Sequence, residues 1–145
     1  MTTDAVPPEI LDRLLGAMDQ TPFLAASGLV LDEVSPDRVV GHIELGPQHH
    51  QPFGIVHGGV YSAAVESIGS VAGSLAVLDD GLTVVGVNNN THFVTAMSEG
   101  RVDVVATPIV QGRTQQLWNV DITRSADGRL VATGQLRLQN VERRR

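Results

Sequence analysis

The chain has no cysteine and no lysine, and only five aromatic residues among its 145. Without cysteine there is no disulfide, no zinc–thiolate centre and no thiol nucleophile. Few aromatics and a net charge of −6 leave neither a stacking platform for bases nor a basic surface, so nucleic acid is not an expected partner. No apolar run is long enough to span a bilayer, and the start, Met1-Thr2-Thr3-Asp4, lacks the basic and apolar regions of a leader peptide. The expectation is a cytoplasmic protein with no membrane partner. A hydrophobic content of 42% argues for a folded globule, and the length suits one domain, residues 1–145, around a single core.

Charge is unevenly spread. Residues 1–100 hold twelve of the sixteen acids and two of the ten arginines, so the basic residues concentrate in the last third. Such an arginine excess either solvates strand faces or meets a phosphorylated small ligand through bidentate contacts.

Periodicity sets out the elements. Ile10, Leu11, Leu14, Leu15 and Met18 fall on one face of an amphipathic helix from Pro7 to about Gln20, which with residues 1–22 forms an N-terminal arm. Leu29–Val34 and Arg38–Leu45 read as a hairpin turning at Ser35-Pro36-Asp37, followed by a polar loop over 46–56. Residues 58–78 form the one long helix, stopped by Asp79-Asp80-Gly81. Val60, Ala64, Ile68, Val71, Leu75 and Leu78 are its expected core face, with Gly59, Ser62, Glu66, Ser70 and Gly73 opposite. Four strand-like segments follow, 82–94, 100–110, 114–124 and 129–140, separated by turn-forming residues, and 141–145 reads as a frayed tail. One apolar helix on one curved antiparallel sheet of about six strands is an α+β layer pair with its core over 23–140. A single sheet covers one side of the helix and leaves the small-residue face to a second subunit or a ligand.

Glu66 is the feature that most needs a reason, being the only acidic or arginine residue between Glu44 and Asp79. A lone carboxylate in an apolar helix costs several kcal/mol to desolvate or takes up a proton. Gln51 to Glu66 joins it to a loop that ends in His57-Gly58-Gly59, where the long helix begins. This run resembles the hotdog-fold acyl-CoA thioesterases of the PaaI-like branch. The mark of that branch is a His-Gly-Gly helix start with an acid seven positions after the second glycine, matched by His57, Gly58, Gly59 and Glu66. Val87-Asn88-Asn89-Asn90 before Phe93, Gly112-Arg113, Trp118 and the segment 127–132 also match, and the likeness extends over roughly 20–140.

The resemblance implies a hotdog fold and hydrolysis of an acyl-CoA to free acid and CoA, with no metal or organic cofactor. It assigns the carbonyl-polarising N–H to Gly58, the nucleophile or general base to Glu66, and assistance to Gln51. Ser70 stands one turn beyond the acid, where related enzymes carry threonine. His57 is a loop organiser or core histidine, or else a further catalytic group. Gly59, Asn88, Asn89 and Asn90 are substrate-binding candidates, Phe53 and Tyr61 line an apolar acyl pocket, and Arg113 or Arg124 meets a CoA phosphate. The asparagine run is most simply a strand bulge.

The chemistry suits these residues. A helix N-terminus offers unpaired N–H groups and a partial positive charge to the developing oxyanion, and glycine permits close approach. Yet eight helical residues separate Gly58 from Glu66, about 12 Å at the usual rise. One carbonyl is not easily served by both within one chain, so the expected site pairs Gly58 and Gln51 of one subunit with Glu66 and Ser70 of another. A homodimer at least follows, and a homotetramer where dimers double. Two other classes stay open: a non-enzymatic acyl-CoA-binding or regulatory module, and an acyl-thioester hydratase or dehydratase. The second needs a loop histidine fourteen residues before the acid, where Pro52 stands. No Gly-x-Ser-x-Gly elbow makes Ser62, Ser67 or Ser70 a nucleophile. His49, His50 and His57 lack nearby carboxylates at ligand spacing, so no metal is expected.

Overall fold

A computed structural model describes residues 6–144. In chain order the elements are α1 (Pro8–Gln20), α2 (Pro22–Ser27), β1 (Val30–Ser35), β2 (Arg38–Leu45), α3 (Gly58–Ala76), β3 (Leu82–Phe93), β4 (Gly100–Gln111), β5 (Gln115–Arg124) and β6 (Leu130–Glu142). The six strands form one sheet in the order β1-β2-β4-β5-β6-β3, antiparallel throughout, with β1 and β3 at its edges. Four bulges bend it, one of them at Pro108 and Val110, where a proline in a central strand is relieved of its missing N–H. α3 packs across the concave face, touching β3 most extensively. This is the hotdog fold that the sequence resemblance implies.

Strict alternation in β2 and β5 turns Val39, Ile43, Trp118, Val120 and Ile122 inward, all fully buried. The helical face that meets them is Tyr61, Ala64, Val65, Ile68, Ala72 and Leu75. This corrects the expected face: Ala64, Ile68 and Leu75 lie on it, but Val60, Val71 and Leu78 are only half-buried at its margin. Gly73, expected on the open side, is buried against Leu138 and Trp118. Each fully buried aliphatic side chain here contributes about 1.5–3 kcal/mol.

Several boundaries also shift. Proline at the first helical position starts α2 at Pro22, a helix that the sequence reading did not anticipate, and Gly28 closes it in the left-handed region at φ 75°. α3 ends at Ala76, two residues early, in successive turns over 77–81. β6 runs through Glu142, so the supposed tail begins as strand, while residue 145 and the first five residues lie outside those described. No described helix is long and apolar enough to cross a membrane.

Candidate active site

The loop before α3 is folded by its own polar groups. The Gln51 N–H donates to the Ile55 carbonyl at 2.8 Å and the Gly54 N–H to the Gln51 carbonyl at 3.1 Å, with Gly54 at φ 79°. The Gln51 side-chain oxygen accepts the Phe53 N–H, which leaves its amide NH2 as a donor, while the Phe53 ring is 89% exposed. The three histidines are all engaged locally. His49 is buried, accepting from the Gly46 N–H and donating to the Ser27 carbonyl at 3.0 Å, and His50 donates to the Ser98 carbonyl at 2.6 Å. Among the described residues no cluster of histidine, aspartate and glutamate could hold a metal.

His57 caps α3: its Nδ1 accepts the Gly59 N–H at 2.8 Å. Of the two glycine amides offered by the sequence, Gly59 is therefore occupied. The Gly58 N–H meets no acceptor among the described residues. A side chain at Gly58 would stand 2.6 Å from Cζ of Phe93, so glycine is what lets that ring lie over the helix start. Beside it is a cleft of about 250 Å³ lined by Ile55, Val56, Gly58, Tyr61, Phe93 and Met97. The Tyr61 and Phe93 ring centroids are 6.2 Å apart. Tyr61 is buried, its hydroxyl meets no partner among the described residues, and burial pushes its pKa up to about 12.

Two turns along α3, Glu66 is half-buried against the edge strand β3. The Asn89 side-chain amide donates both to its Oε2 at 3.1 Å and to the Ser62 carbonyl at 3.0 Å. The carboxylate and the Ser62 carbonyl can only accept, which fixes the amide with its nitrogen toward them, and the Thr91 hydroxyl donates to Asn89 Oδ1 at 2.7 Å. On the other side, a Cβ built at Gly86 would lie 2.5 Å from Glu66 Oε1. Gly86 and Asn89 are an odd number of residues apart and would face opposite sides of a regular strand. The bulge between Gly86 and Asn88 takes up the extra residue and turns both toward α3. The expected bulge thus precedes the asparagine run. Only Asn89 reaches the acid, while Asn88 and Asn90 are exposed.

Other candidates stand elsewhere. Ser70 lines a cleft with Met18 and Leu24 beneath α1 and α2. Arg113 lines a cleft with Ala76, Asp80 and Gly112 beyond the C-terminal end of α3. Arg124 is held by two hydrogen bonds to Asp127, at 2.9 and 2.7 Å. The sequence reading overlooked Gly86 and Thr91. A lone glycine inside a strand signals close approach of another group, which was the available clue to Gly86.

The profile of the thioesterase superfamily matches residues 53–131, from the loop before α3 into β6. A Mycobacterium tuberculosis protein provisionally named an esterase is 48% identical over 126 residues, covering 85% of this chain and 89% of its own. Its solved structure superposes with a TM-score of 0.82 at 46% identity, over 86% of this chain and all of that one. AziG of S. sahachiroi is similar at 41% identity and a TM-score of 0.80, covering 84% of this chain and 98% of its own. A Haemophilus influenzae thioesterase gives 31% identity and a TM-score of 0.82, covering 97% and 94%. The family match over more than half of the chain and these similarities show that the chain belongs to the thioesterase superfamily.

Proposed function

We propose that the protein hydrolyses acyl-CoA thioesters in the manner of the PaaI-like branch, with Gly58 and Glu66 of two different subunits meeting at each carbonyl. The observation that carries the reading is the pairing of one unengaged helix-start amide, at Gly58, with a carboxylate held by Asn89 above Gly86. Both groups lie along β3, Gly58 beside Phe93 and Glu66 beside Gly86 and Asn89. Among the described residues β3 pairs only with β6, and its Val85 and Val87 are about half exposed, which supports a second copy along this edge. Antiparallel pairing of two β3 strands about a two-fold near Asn90 would lay Glu66 of the partner subunit opposite Gly58. A tetramer built from two such dimers is the larger assembly this fold allows.

In such a site the Gly58 N–H receives the carbonyl oxygen as it becomes negative. One such donor is worth roughly 3–4 kcal/mol in the transition state. Glu66 takes a proton from water as the water oxygen bonds to the carbonyl carbon. The tetrahedral intermediate then expels the CoA thiolate, which takes up the proton, leaving the free acid. Direct attack by the carboxylate, through a mixed anhydride that water then opens, is the other route open to the same residue. The amide of Gln51 is left to steady the thioester or the water. Of the two arginines proposed for a CoA phosphate, Arg124 is engaged by Asp127, so Arg113 is the better candidate.

The test is free-thiol release from a panel of acyl-CoAs, with mass determination of the oligomer. Glu66→Gln is expected to abolish turnover while keeping the assembly. Gly58→Pro deletes the N–H at a position where proline suits a helix. Since any side chain there meets the Phe93 ring, Gly58→Ala, which keeps the N–H, is its reference, and kcat is expected to be about 100- to 1,000-fold lower than in Gly58→Ala. Mixing and re-associating the two inactive variants should restore about a quarter of wild-type activity, since half the dimers then hold one intact site of two. No recovery on mixing would overturn the shared site, and full activity of Glu66→Gln would overturn the catalytic assignment. Wild-type protein that binds acyl-CoA without releasing thiol would be a binding module instead.

A further inference from the structure

His49 is a buried polar side chain that the proposed reaction does not use. It is 4% exposed, and both of its ring nitrogens are engaged. The Gly46 N–H donates to Nδ1 at 3.2 Å, and Nε2 lies 3.0 Å from the Ser27 carbonyl. An amide N–H can only donate and a carbonyl can only accept, so the ring is neutral with its proton on Nε2. Gly46 and Ser27 are themselves buried. An apolar side chain in this place would leave an N–H and a C=O without partners. That accounts for a polar ring here, but not for what the ring joins.

The two partners belong to different parts of the fold. Ser27 ends α2, where its hydroxyl donates to the Leu24 carbonyl at 2.6 Å. His49 opens the loop that leads to α3, and its main-chain carbonyl accepts the His57 N–H at 2.8 Å. His57 is the cap of α3 and the residue before Gly58. Among the described residues, the bond from His49 to Ser27 is the one hydrogen bond between α2 and this loop. Packing does not duplicate it, because a cleft of about 380 Å³ opens on that side, with Phe23, Ala26, His57 and Val60 in its wall. On its other side the loop is fastened to the segment before β4. There the His50 ring donates to the Ser98 carbonyl and the Val56 N–H to the Met97 carbonyl. The helix start is thus held between two anchors, and the imidazole of His49 is the anchor toward α2.

We infer that His49 is a positioning residue for hydrolysis: by tying the loop to Ser27, it fixes the carbonyl that holds the His57 N–H, and so sets where the Gly58 N–H meets the thioester. This rests on the proposed thioesterase reading. A donor to a developing oxyanion acts at about 2.7–3.1 Å, and a misplacement of about 1 Å costs roughly 100-fold in rate. Without the bond to Ser27 the His49 carbonyl is free to shift, and the His57-Gly58 turn shifts with it. Binding of the acyl-CoA in its ground state rests on other groups, so the loss falls on kcat and leaves KM nearly unchanged.

The test uses three substitutions. His49→Gln can still present an NH2 to the Ser27 carbonyl, His49→Asn is too short to reach it and serves only Gly46, and His49→Leu serves neither. Thiol release is expected to show kcat about 10- to 100-fold lower in His49→Leu and His49→Asn, with KM within about twofold of wild type. His49→Gln should recover to within about fivefold of wild type. Hydrogen exchange of the His57 and Gly59 amides is expected to quicken about 10-fold in His49→Asn, while the Val120 amide in the buried strand β5 keeps its wild-type rate. Equal kcat in His49→Gln and His49→Asn overturns the inference, whether or not His49→Leu folds. So does exchange at Val120 that quickens as much as at His57, the mark of a general loss of stability. If wild-type protein releases no thiol from any acyl-CoA, the thioesterase reading fails by itself. The hold of His49 on the helix start is then judged by exchange alone, and unchanged rates at His57 and Gly59 in His49→Asn overturn it.

Discussion

Replacing Gly86 by alanine tests the seat of the carboxylate without touching the carboxylate. A methyl group there would start 2.5 Å from Glu66 Oε1 and 3.5 Å from its Cδ. Ordinary contact begins near 3.4 Å, so the oxygen must retreat by roughly 0.9 Å. A shift of that size pulls Oε2 off the 3.1 Å hydrogen bond from Asn89. Displacing a reacting group by about 1 Å typically costs about 100-fold in rate, or roughly 2.7 kcal/mol of barrier. Stability should move little. The displaced atom is the tip of a flexible side chain, and alanine in a strand regains about 0.5–1 kcal/mol that glycine forgoes. The expected result is a kcat about 100-fold lower with a Tm within a few degrees of wild type, read by thiol release and by the fluorescence of Trp118, the single tryptophan. Gly16→Ala, at a helical position with nothing within 4 Å, is the control expected to leave kcat alone. Unchanged kcat in Gly86→Ala would refute the idea that this seat sets the position of the acid. A large loss of Tm would show instead that the strand, not the carboxylate, had given way.

Gly73→Ala should act in the opposite sense, because its Cβ would collide with Leu138 Cδ1 and sit 3.4 Å from Gln116 Oε1 in the packed core. About 1–3 kcal/mol of stability is expected to go, measured by urea denaturation, with kcat per folded molecule retained. Gln116→Ala should cost roughly 2–4 kcal/mol, since this fully buried amide serves the Gly73 carbonyl, Asn140 and the Trp118 indole N–H together. Tyr61, the single tyrosine, is expected to ionise near pH 12 in an ultraviolet titration of the folded protein. Because the folded state holds that proton more tightly, its contribution to stability is complete below about pH 10 and fades as pH rises toward 12. Asp127, held to about pKa 2 by the hydrogen bond from Arg124 and then by the Arg129 N–H, works the other way. Its contribution is complete above the ordinary aspartate range near pH 3.9 and is lost as pH falls toward 2, which a carboxyl chemical-shift titration would follow.

The elements were legible wherever a local signal was strong. Ser35-Pro36-Asp37 marked a hairpin, Asp79-Asp80-Gly81 marked the turn that follows the long helix though not its end at Ala76, and alternation through Trp118, Val120 and Ile122 gave a strand with one buried face. The face of α3 was not legible. Apolar and small residues surround that helix, so hydropathy could not choose between Val60 and Tyr61, or between Val71 and Ala72. α2 was obscured because proline both ends one helix and begins the next. Glu66 stood out through its isolation, but what holds it comes from a strand more than twenty residues away. No local pattern announces that Asn89, through a bulge at Val87, faces the same way as Gly86. The engagement of the Gly59 amide by His57 was equally hidden, since it depends on how a ring turns back over its own helix start.

α3 also divides along its length. Its last turns are wedged in place, Gly69 under Leu136, Gly73 under Leu138, with the Gly73 carbonyl clasped by Gln116. Its first half is held more loosely, with an exposed phenylalanine ring over Gly58 and the bendable carboxylate tip of Glu66 against Gly86 of β3. One rod thus has a clamped end and a working end. Changes within residues 57–66 that leave the buried Tyr61, Ala64 and Val65 in place can therefore retune the proposed site at little risk to foldedness, while Gly69 and Gly73 tolerate almost no added bulk.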